Sequence, residues 1–377
     1  MTEPTTDWTQ RLARLRAEPS TDAPRDPARL ARVGRTRTEM LAQGAAIAET
    51  LAGAGPDFER VRTALRGRPE RIVVVGCGDS WFVGQAAAPI LERALGVPCF
   101  AVEAFEHAAF AGAAINRGAL VIGLTSGGNT PAVINALARA KAEGAIAVGM
   151  SNTPGSPAMT GFDAGLLVQA SRKGWPTQSS MASIALLAGL AAHLAAAFPP
   201  APGAAAPDDL AAALAALPAS IDALVARIDD PVARVATALA DAPMTIFTGA
   251  GPDFAAASFG AAKLRELTPA HAFALPLEEM HHYRLPKRGD RLVIVATAPE
   301  ARERALDTAL VAQAEGSTSF AVLREPDAEI VERVDHHLVV PEAAGPLAAI
   351  MATVPLHALA FHAAMARAEL GLGGPWS

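Results

Sequence analysis

Four short stretches bring together residue types able to do chemistry. Leu124-Thr-Ser-Gly-Gly-Asn-Thr-Pro131 offers the hydroxyls of Thr125, Ser126 and Thr130, with Gly127 and Gly128 between them. It follows an apolar run and precedes a helical one, so hydroxyls and free backbone N–H groups meet at a helix N-terminus, an arrangement that holds a small anion. The glycines allow the backbone to approach such a ligand closely. The plainer reading of the same residues is a helix capped by Thr130 alone. Gly76-Cys-Gly-Asp-Ser80 is a second candidate loop, in which Gly78 and Ser80 either extend the anion site or simply start a helix. It lacks the third glycine of a dinucleotide fingerprint and the Gly-Lys-Ser of a P-loop. Lys263 and Glu266 are three apart and share a helix face; taken alone they read as a surface ion pair. Glu278 and His281, and Glu279 and His282, are also three apart. Glu-x-x-His can ligate metals in helix bundles, but no second acidic pair accompanies it here, so no metal and no cofactor is expected. His193, His336, His337, His357 and His362 read as structural.

The elements that must position these residues are legible as alternating strands and helices. Arg71-Ile-Val-Val-Val-Gly76 is a β-branched run ending in a Gly-x-Gly turn, and an apolar helix follows. Ala119–Leu124, Ala145–Gly149 and Gly165–Val168 read as further strands of a parallel sheet, giving α/β architecture. From Thr38 the apolar residues Met40, Leu41, Ala45, Ile47, Ala48 and Leu51 recur at helical spacing. The Pro/Ala stretch from Phe198 to Asp209 marks a domain boundary, and Leu210–Ala240 reads as helix. Then the pattern repeats. Met244–Gly251 mirrors Arg71–Gly78, and Asp290–Ala296 mirrors Ala119–Leu124. Gly78 to Gly251 is 173 positions and Leu120 to Leu292 is 172, so one domain has been duplicated. The second copy reads Ala296-Thr-Ala-Pro-Glu-Ala-Arg302 where the first has its hydroxyl loop, and this asymmetry assigns the anion cradle to the first copy alone.

The totals agree. With 377 residues, 51% of them hydrophobic, the chain is long enough for two domains with sizeable cores. A net charge of -6 argues against nucleic acid as a partner, while a small anion can still be held by local donors. The two cysteines, Cys77 and Cys99, form no CxxC pair and are expected to be reduced thiols. Met1–Pro24 has no apolar run of the secretory kind, so a cytoplasmic protein is expected. Met181–Phe198 approaches the length of a membrane span but is alanine-rich and stands alone, so a helix buried in a domain, and no membrane, is expected. Residues 1 to about 36 read as a flexible or wrapping arm, and its basic run (Arg25, Arg29, Arg32, Arg35, Arg37) reads as a solvated face.

In order along the chain, these motifs resemble those of the tandem sugar isomerase (SIS) domain family, over about residues 38 to 370. The family includes the isomerase half of glucosamine-6-phosphate synthase and SIS-type aminosugar-phosphate deaminases and deglycases. Glu39-Met-Leu-Ala-Gln43 resembles its opening helix, Gly76–Ser80 its first loop and Thr125–Thr130 its phosphate loop. Ser171-Arg-Lys-Gly-Trp-Pro-Thr-Gln178, Gly260-Ala-Ala-Lys-Leu-Arg-Glu266, Glu279-Met-His-His282 and Thr353-Val-Pro-Leu-His-Ala-Leu-Ala-Phe361 complete the match. The resemblance implies two tandem SIS domains, each a flavodoxin-like parallel sheet flanked by helices. The expected division is an arm at 1–36, a first domain at 37–200, a linker at 201–218 and a second domain at 219–377. It implies Glu266 as a proton-shuttling carboxylate, His282, 16 positions on, as a ring-opening histidine, and Lys263 as a lysine of the same site. Gly78, Ser80, Thr125, Ser126, Gly127, Thr130 and Ser171 are implied on the substrate side. The substrate so implied is a phosphorylated hexose or hexosamine, and the assembly a homodimer, because in some relatives the histidine comes from the partner subunit.

The chemistry suits those residue types. A ketose–aldose shift moves one proton between C1 and C2 through an enediol-like state, work for one carboxylate of raised pKa. Opening a hemiketal ring suits an imidazole that is neutral near pH 7. The departures bear on substrate. Gly127 replaces a serine of the phosphate loop, no glutaminase-type segment precedes the repeat, and the lysine-ended tail of glucosamine-phosphate-forming relatives is replaced by Gly373-Gly-Pro-Trp-Ser377. Complete glucosamine-phosphate synthesis is therefore not expected. The expectation is a sugar-phosphate isomerase or an aminosugar-phosphate deaminase or deglycase. The alternatives are a non-catalytic sugar-phosphate-binding regulator, or an isomerase acting on another anionic sugar such as a sulfonate, which Gly127 and Arg172-Lys173 leave open.

Overall fold

The structure is a computed structural model, and it describes residues 7–17, 23–198, 207–242, 244–343 and 345–373. Helices α1 (Trp8–Ala17), α2 (Pro27–Leu41), α3 (Gln43–Gly53) and α4 (Gly55–Ala64) come first. The first unit runs β1 (Arg71–Gly76), α5 (Asp79–Leu95), β2 (Cys99–Glu103), α6 (Ala104–Phe110), β3 (Ala119–Leu124) and α7 (Pro131–Ala142). It ends with β4 (Ile146–Ser151), α8 (Pro157–Thr160), β5 (Ala164–Leu167) and α9 (Gln178–Ala197). Helix α10 (Pro207–Leu239) leads to the second unit: β6 (Met244–Gly249), α11 (Pro252–Leu267), β7 (His271–Pro276), α12 (Glu279–His282) and β8 (Arg291–Ala296). There follow α13 (Arg302–Glu315), β9 (Thr318–Leu323), α14 (Ala328–Val331), β10 (His336–Val339) and α15 (Ala348–Leu370).

Each unit has one five-stranded, all-parallel sheet. The orders are β2-β1-β3-β4-β5 and β7-β6-β8-β9-β10, the same winding twice and the flavodoxin-like one expected. In this order the chain reverses direction across the sheet beside the first strand. Ligands bind there, at the carboxyl ends of the strands, and in the first unit those ends carry Gly76–Ser80 and Leu124–Thr130. The duplication holds at the level of dihedral angles. Gly78 has φ 54° and ψ −128°, and Gly251 has φ 54° and ψ −127°, a left-handed turn that a side chain adopts only under strain.

Packing between the units follows the apolar pattern. Leu210, Leu214, Leu217, Ile221, Leu224, Ile228, Val232, Val235 and Leu239 on α10 recur three or four apart, and all are buried. This stripe joins α10 to α3 and α9 of the first unit and to α15 of the second, so one core spans both units. Helices α9, α10 and α15 are long and apolar enough to cross a membrane, but 72% of the α9 window and 78% of the α15 window are buried inside the protein. Helix α9 is thus the buried helix expected of Met181–Phe198. In α10 only 28% of the window is buried, and alanines such as Ala211, Ala212, Ala215 and Ala216 face outward.

Two boundaries differ from the reading of the sequence. Helix α2 runs through position 36, so the arm and the first domain share a helix that opens with Asp26 accepting from the Arg29 amide at 2.7 Å. The expected linker lies partly outside the described residues (199–206); from Pro207 onward it is already α10, since proline is well tolerated at the first turn of a helix. The basic run of the arm is only in part a solvated face: Arg25, Arg32 and Arg35 are exposed, yet four of its five arginines reach groups of the fold. Arg25 Nε donates to Ala368 O at 2.8 Å and Arg29 Nη2 to Glu266 O at 3.3 Å. The Arg32 guanidinium stacks over the Trp175 ring at 4.2 Å, and Arg37 pairs with Asp229 at 2.6 Å. These arginines strap α2 across both units.

Candidate functional site

A cavity of about 530 Å³ opens where the two units meet. Its first wall comes from the loop after β1, with Cys77, Gly78, Asp79 and Ser80, and the loop after β3, with Leu124 to Gly127 and Thr130. Its second wall comes from α11, with Ala262, Arg265 and Glu266, and Pro176 closes an edge. Hydroxyl donors from the first copy thus face a carboxylate from the second across one space.

The Thr125–Thr130 loop is built to offer donors. Thr130 stands at the N-cap of α7 but makes no capping bond, so the plain-cap reading fails; its hydroxyl pairs with that of Thr125 at 2.7 Å. Thr125 N–H is spent on Met150 O (3.0 Å) and Gly128 N–H on Thr125 O (2.9 Å). Among the described residues no acceptor takes the amides of Ser126, Gly127 or Thr130. Gly128 has φ 76°, and a Cβ there would fall 2.1 Å from Ser156 Oγ, so the tight turn requires glycine. Gly127 has no such constraint: a Cβ would meet only Asn129 Oδ1 at 3.3 Å and Arg172 Nη2 at 3.9 Å.

The second copy explains the asymmetry between the loops. Asp253, at the position matching Ser80, is fully buried. Its carboxylate accepts from Thr297 N (2.7 Å), Thr297 Oγ1 (2.5 Å) and Ala298 N (3.0 Å). Thr297 and Ala298 match Thr125 and Ser126. The second copy therefore fills its loop with its own carboxyl group, which burial pushes up from the usual carboxylate range against the three donors, whereas the first has the shorter Ser80 there and leaves its donors open.

Behind the opposite wall, Lys263 is not the surface residue that its spacing suggested. Its side chain is 0% exposed, and its Nζ donates to Asp79 Oδ2 at 2.6 Å and to Glu266 Oε2. Burial alone disfavours the ammonium, but the two carboxylates outweigh it and hold the proton above the ordinary lysine range. Glu266 is pushed up from the usual carboxylate range. Burial is the main cause and the Asp79 charge adds to it, against the pull of Lys263 and Arg32. A partly buried carboxylate that keeps its affinity for a proton, with 33% of its side chain exposed at a cavity, is suited to take and return one. Cys77 also lines the cavity, but its thiol donates to Glu103 Oε1 at 2.9 Å and is pushed up to about 11 by burial and by that carboxylate, so it stays a neutral thiol.

Three expected site residues do not line the cavity: Lys263, buried behind its wall, Ser171 and His282. Ser171 does not line the cavity: its hydroxyl donates to Glu39 Oε1 at 2.8 Å, and Glu39 also accepts the Lys173 and Gly174 amides, at 2.6 and 3.2 Å. His282 ends α12 with 64% of its side chain exposed, 3.6 Å from Glu278, and is not part of the cavity of its own chain. Conversely, the sequence reading passed over Asp79 and Arg265 as lining residues. The repeat carried a signal for Asp79, since the second copy has Pro252 in its place. His357 is structural as expected: it is fully buried, with Nδ1 3.0 Å from Gln43 Oε1, and burial and Lys263 push it down to about 3.

Comparison with known proteins places this geometry in context. The SIS domain family model matches residues 65–196 and 238–367, one match per unit. A glutamine–fructose-6-phosphate aminotransferase [isomerizing] of Mycolicibacterium smegmatis is 26% identical over 348 residues, covering 87% of this chain and 54% of the relative. The chain thus spans about half the length of the curated relatives it matches. Among solved structures, the C-terminal domain of glucosamine-fructose-6-phosphate aminotransferase from Francisella tularensis superposes with a TM-score of 0.74 at 20% identity, covering 88% of this chain and 96% of that one. Tagatose-6-phosphate ketose/aldose isomerase from Escherichia coli superposes with a TM-score of 0.69 at 18% identity, covering 88% and 92%.

If Asp253 is a built-in acceptor, Asp253→Ala strands three donors and is expected to cost about 3 kcal/mol or more in urea unfolding, against less than about 1 kcal/mol for Ser80→Ala. Equal small losses would show that the second loop does not depend on its carboxylate.

Proposed function

The chain belongs to the SIS domain family, and from that premise we propose that it binds a phosphorylated hexose or hexosamine and moves a proton between C1 and C2 of its open-chain form. One observation carries this reading: Glu266 of the second unit lines the same cavity as the Thr125–Thr130 donor loop of the first. The phosphate takes the open amides and the hydroxyls of Thr125, Ser126 and Thr130, with Ser80 beside them. This anchors one end of the sugar and leaves the other facing α11. Arg265, exposed at the same wall, adds a positive charge that favours an anionic substrate.

In the chemical step the Glu266 carboxylate takes the proton from the carbon next to the carbonyl. The C–H electron pair becomes the C1=C2 double bond and the carbonyl oxygen gains a proton, giving an enediol. Glu266 then returns its proton to the carbon that bore the carbonyl, while the hydroxyl on the other carbon releases its proton to solvent, balancing the one the carbonyl oxygen took up, and becomes the new carbonyl. The same step serves an aldose–ketose isomerase and an aminosugar-phosphate deaminase or deglycase, and the relatives named aminotransferase [isomerizing] and ketose/aldose isomerase agree with it. The printed name of the first also includes an amino transfer from glutamine, and this reading does not extend to that half of the reaction.

His282 completes the proposal only from a second copy of the chain. Its exposure on α12, away from its own cavity, supports a homodimer in which each histidine opens the ring held by its partner.

Three outcomes are expected. Glu266→Gln abolishes C2 hydrogen exchange in deuterated water, by at least about a hundredfold, while phosphorylated hexoses still raise Tm; normal turnover would remove Glu266 from the mechanism. Thr125→Val with Thr130→Val weakens a C6-phosphorylated sugar by about ten- to a hundredfold and its unphosphorylated analogue little; equal losses would argue against the cradle. Mixing inactive Glu266→Gln and His282→Ala chains restores activity, since one site of each mixed dimer keeps both residues. No recovery would place His282 outside a shared site.

A further inference from the structure

Asp79 opens α5 directly after the left-handed Gly78 and lines the cavity. Its Oδ2 accepts the Lys263 ammonium at 2.6 Å and the Ser180 hydroxyl at 3.4 Å. Lys263 has no exposed surface, so its charge is balanced by protein carboxylates alone: Asp79 from the first unit and Glu266 from its own helix. The matching residue of the second copy is Pro252, which cannot serve.

The charge count decides what this arrangement does. A buried ammonium paired with Glu266 alone would form a tight neutral pair, and a carboxylate held so firmly is a poor proton acceptor. The other charges around Glu266 pull the same way. Arg32 of α2 faces it, Arg29 of the same helix donates to its backbone oxygen at 3.3 Å, and Arg265 is its neighbour on α11. From α15, His357 meets Lys263 and stays neutral. Asp79 is the negative charge that opposes these cations by sharing the ammonium.

We propose that Asp79 is a positioning residue: by drawing the Lys263 ammonium toward the first unit, it holds Glu266 at the cavity wall and limits how much of that positive charge Glu266 receives. The inference rests on the reading of Glu266 as the proton carrier. It adds that the first unit supplies the tuning of the carboxylate as well as the anion cradle.

The test reads the Glu266 carboxyl directly. The whole chain is labelled with ¹³C at its side-chain carboxyls, Glu266 is assigned with Glu266→Gln, and its signal is followed against pH without substrate. Asp79→Asn, shown to be folded by circular dichroism, is expected to move the Glu266 titration to lower pH by about one unit. A titration that stays in place or moves up overturns the proposal. If Asp79→Asn does not fold, the wild-type curve decides: carboxylates sharing one ammonium are coupled, so the Glu266 signal must show two steps, and a single step overturns the proposal. The two readings fail separately. A shifted titration without C2 exchange on any C6-phosphorylated hexose keeps the role of Asp79 and ends the proton-carrier reading. Exchange with an unmoved titration does the reverse.

Discussion

A lysine ammonium with no exposed surface and two carboxylate partners is the interaction around which the two halves of this protein are organised. An unpaired buried charge would cost several kcal/mol, so Lys263 obliges the chain to bring counter-charges to it. One, Glu266, is local on α11; the other, Asp79, comes from 184 positions away in the first unit. The units cannot separate or slide without exposing that imbalance. The ion cluster therefore sets the register between the sheets as well as the electrostatics at the cavity wall. The shared apolar core along α10 and the arginines of α2 keep the register in place.

Duplication gave the fold two equivalent loops over strand ends, and side chains then made them differ. The last glycine of each Gly-x-Gly turn has the same dihedral angles within a degree, so the difference lies in the side chains around it. The second loop turned its donors onto Asp253. Keeping an internal acceptor satisfies buried N–H groups permanently and makes that half a stable structural partner. The first loop kept Ser80, a longer hydroxyl segment and the amides of Ser126, Gly127 and Thr130, which no acceptor among the described residues takes. The unmet donors sit where the cavity is, and the second unit supplies the carboxylate.

Much was present in the order of residues. The two sheets, their repeat at an offset of 172 to 173 and the hydroxyl loop follow from local patterns: β-branched runs, Gly-x-Gly turns and helical periodicity. Strands β2, β7, β9 and β10 were not read. At the sheet edges β2, β7 and β10 are partly exposed and lack a continuous apolar run, while the interior strand β9 begins with Thr318 and Ser319. The arginine run also misled, because a solvated face and a strap of guanidiniums on distant carbonyls have the same spacing.

What the amino-acid sequence determined by itself is therefore the set of local elements, the duplication and the candidate residues, since these depend on neighbours a few positions apart. What only the tertiary structure decided is which candidates share a space. Glu266 joined the Thr125 loop, Ser171 turned to Glu39, and His282 stayed on the surface of its chain. The burial of Lys263 and its tie to Asp79 belong to the same class. Desolvation and charge pairing depend on what packs around a group, and those neighbours come from parts of the chain that no local pattern connects.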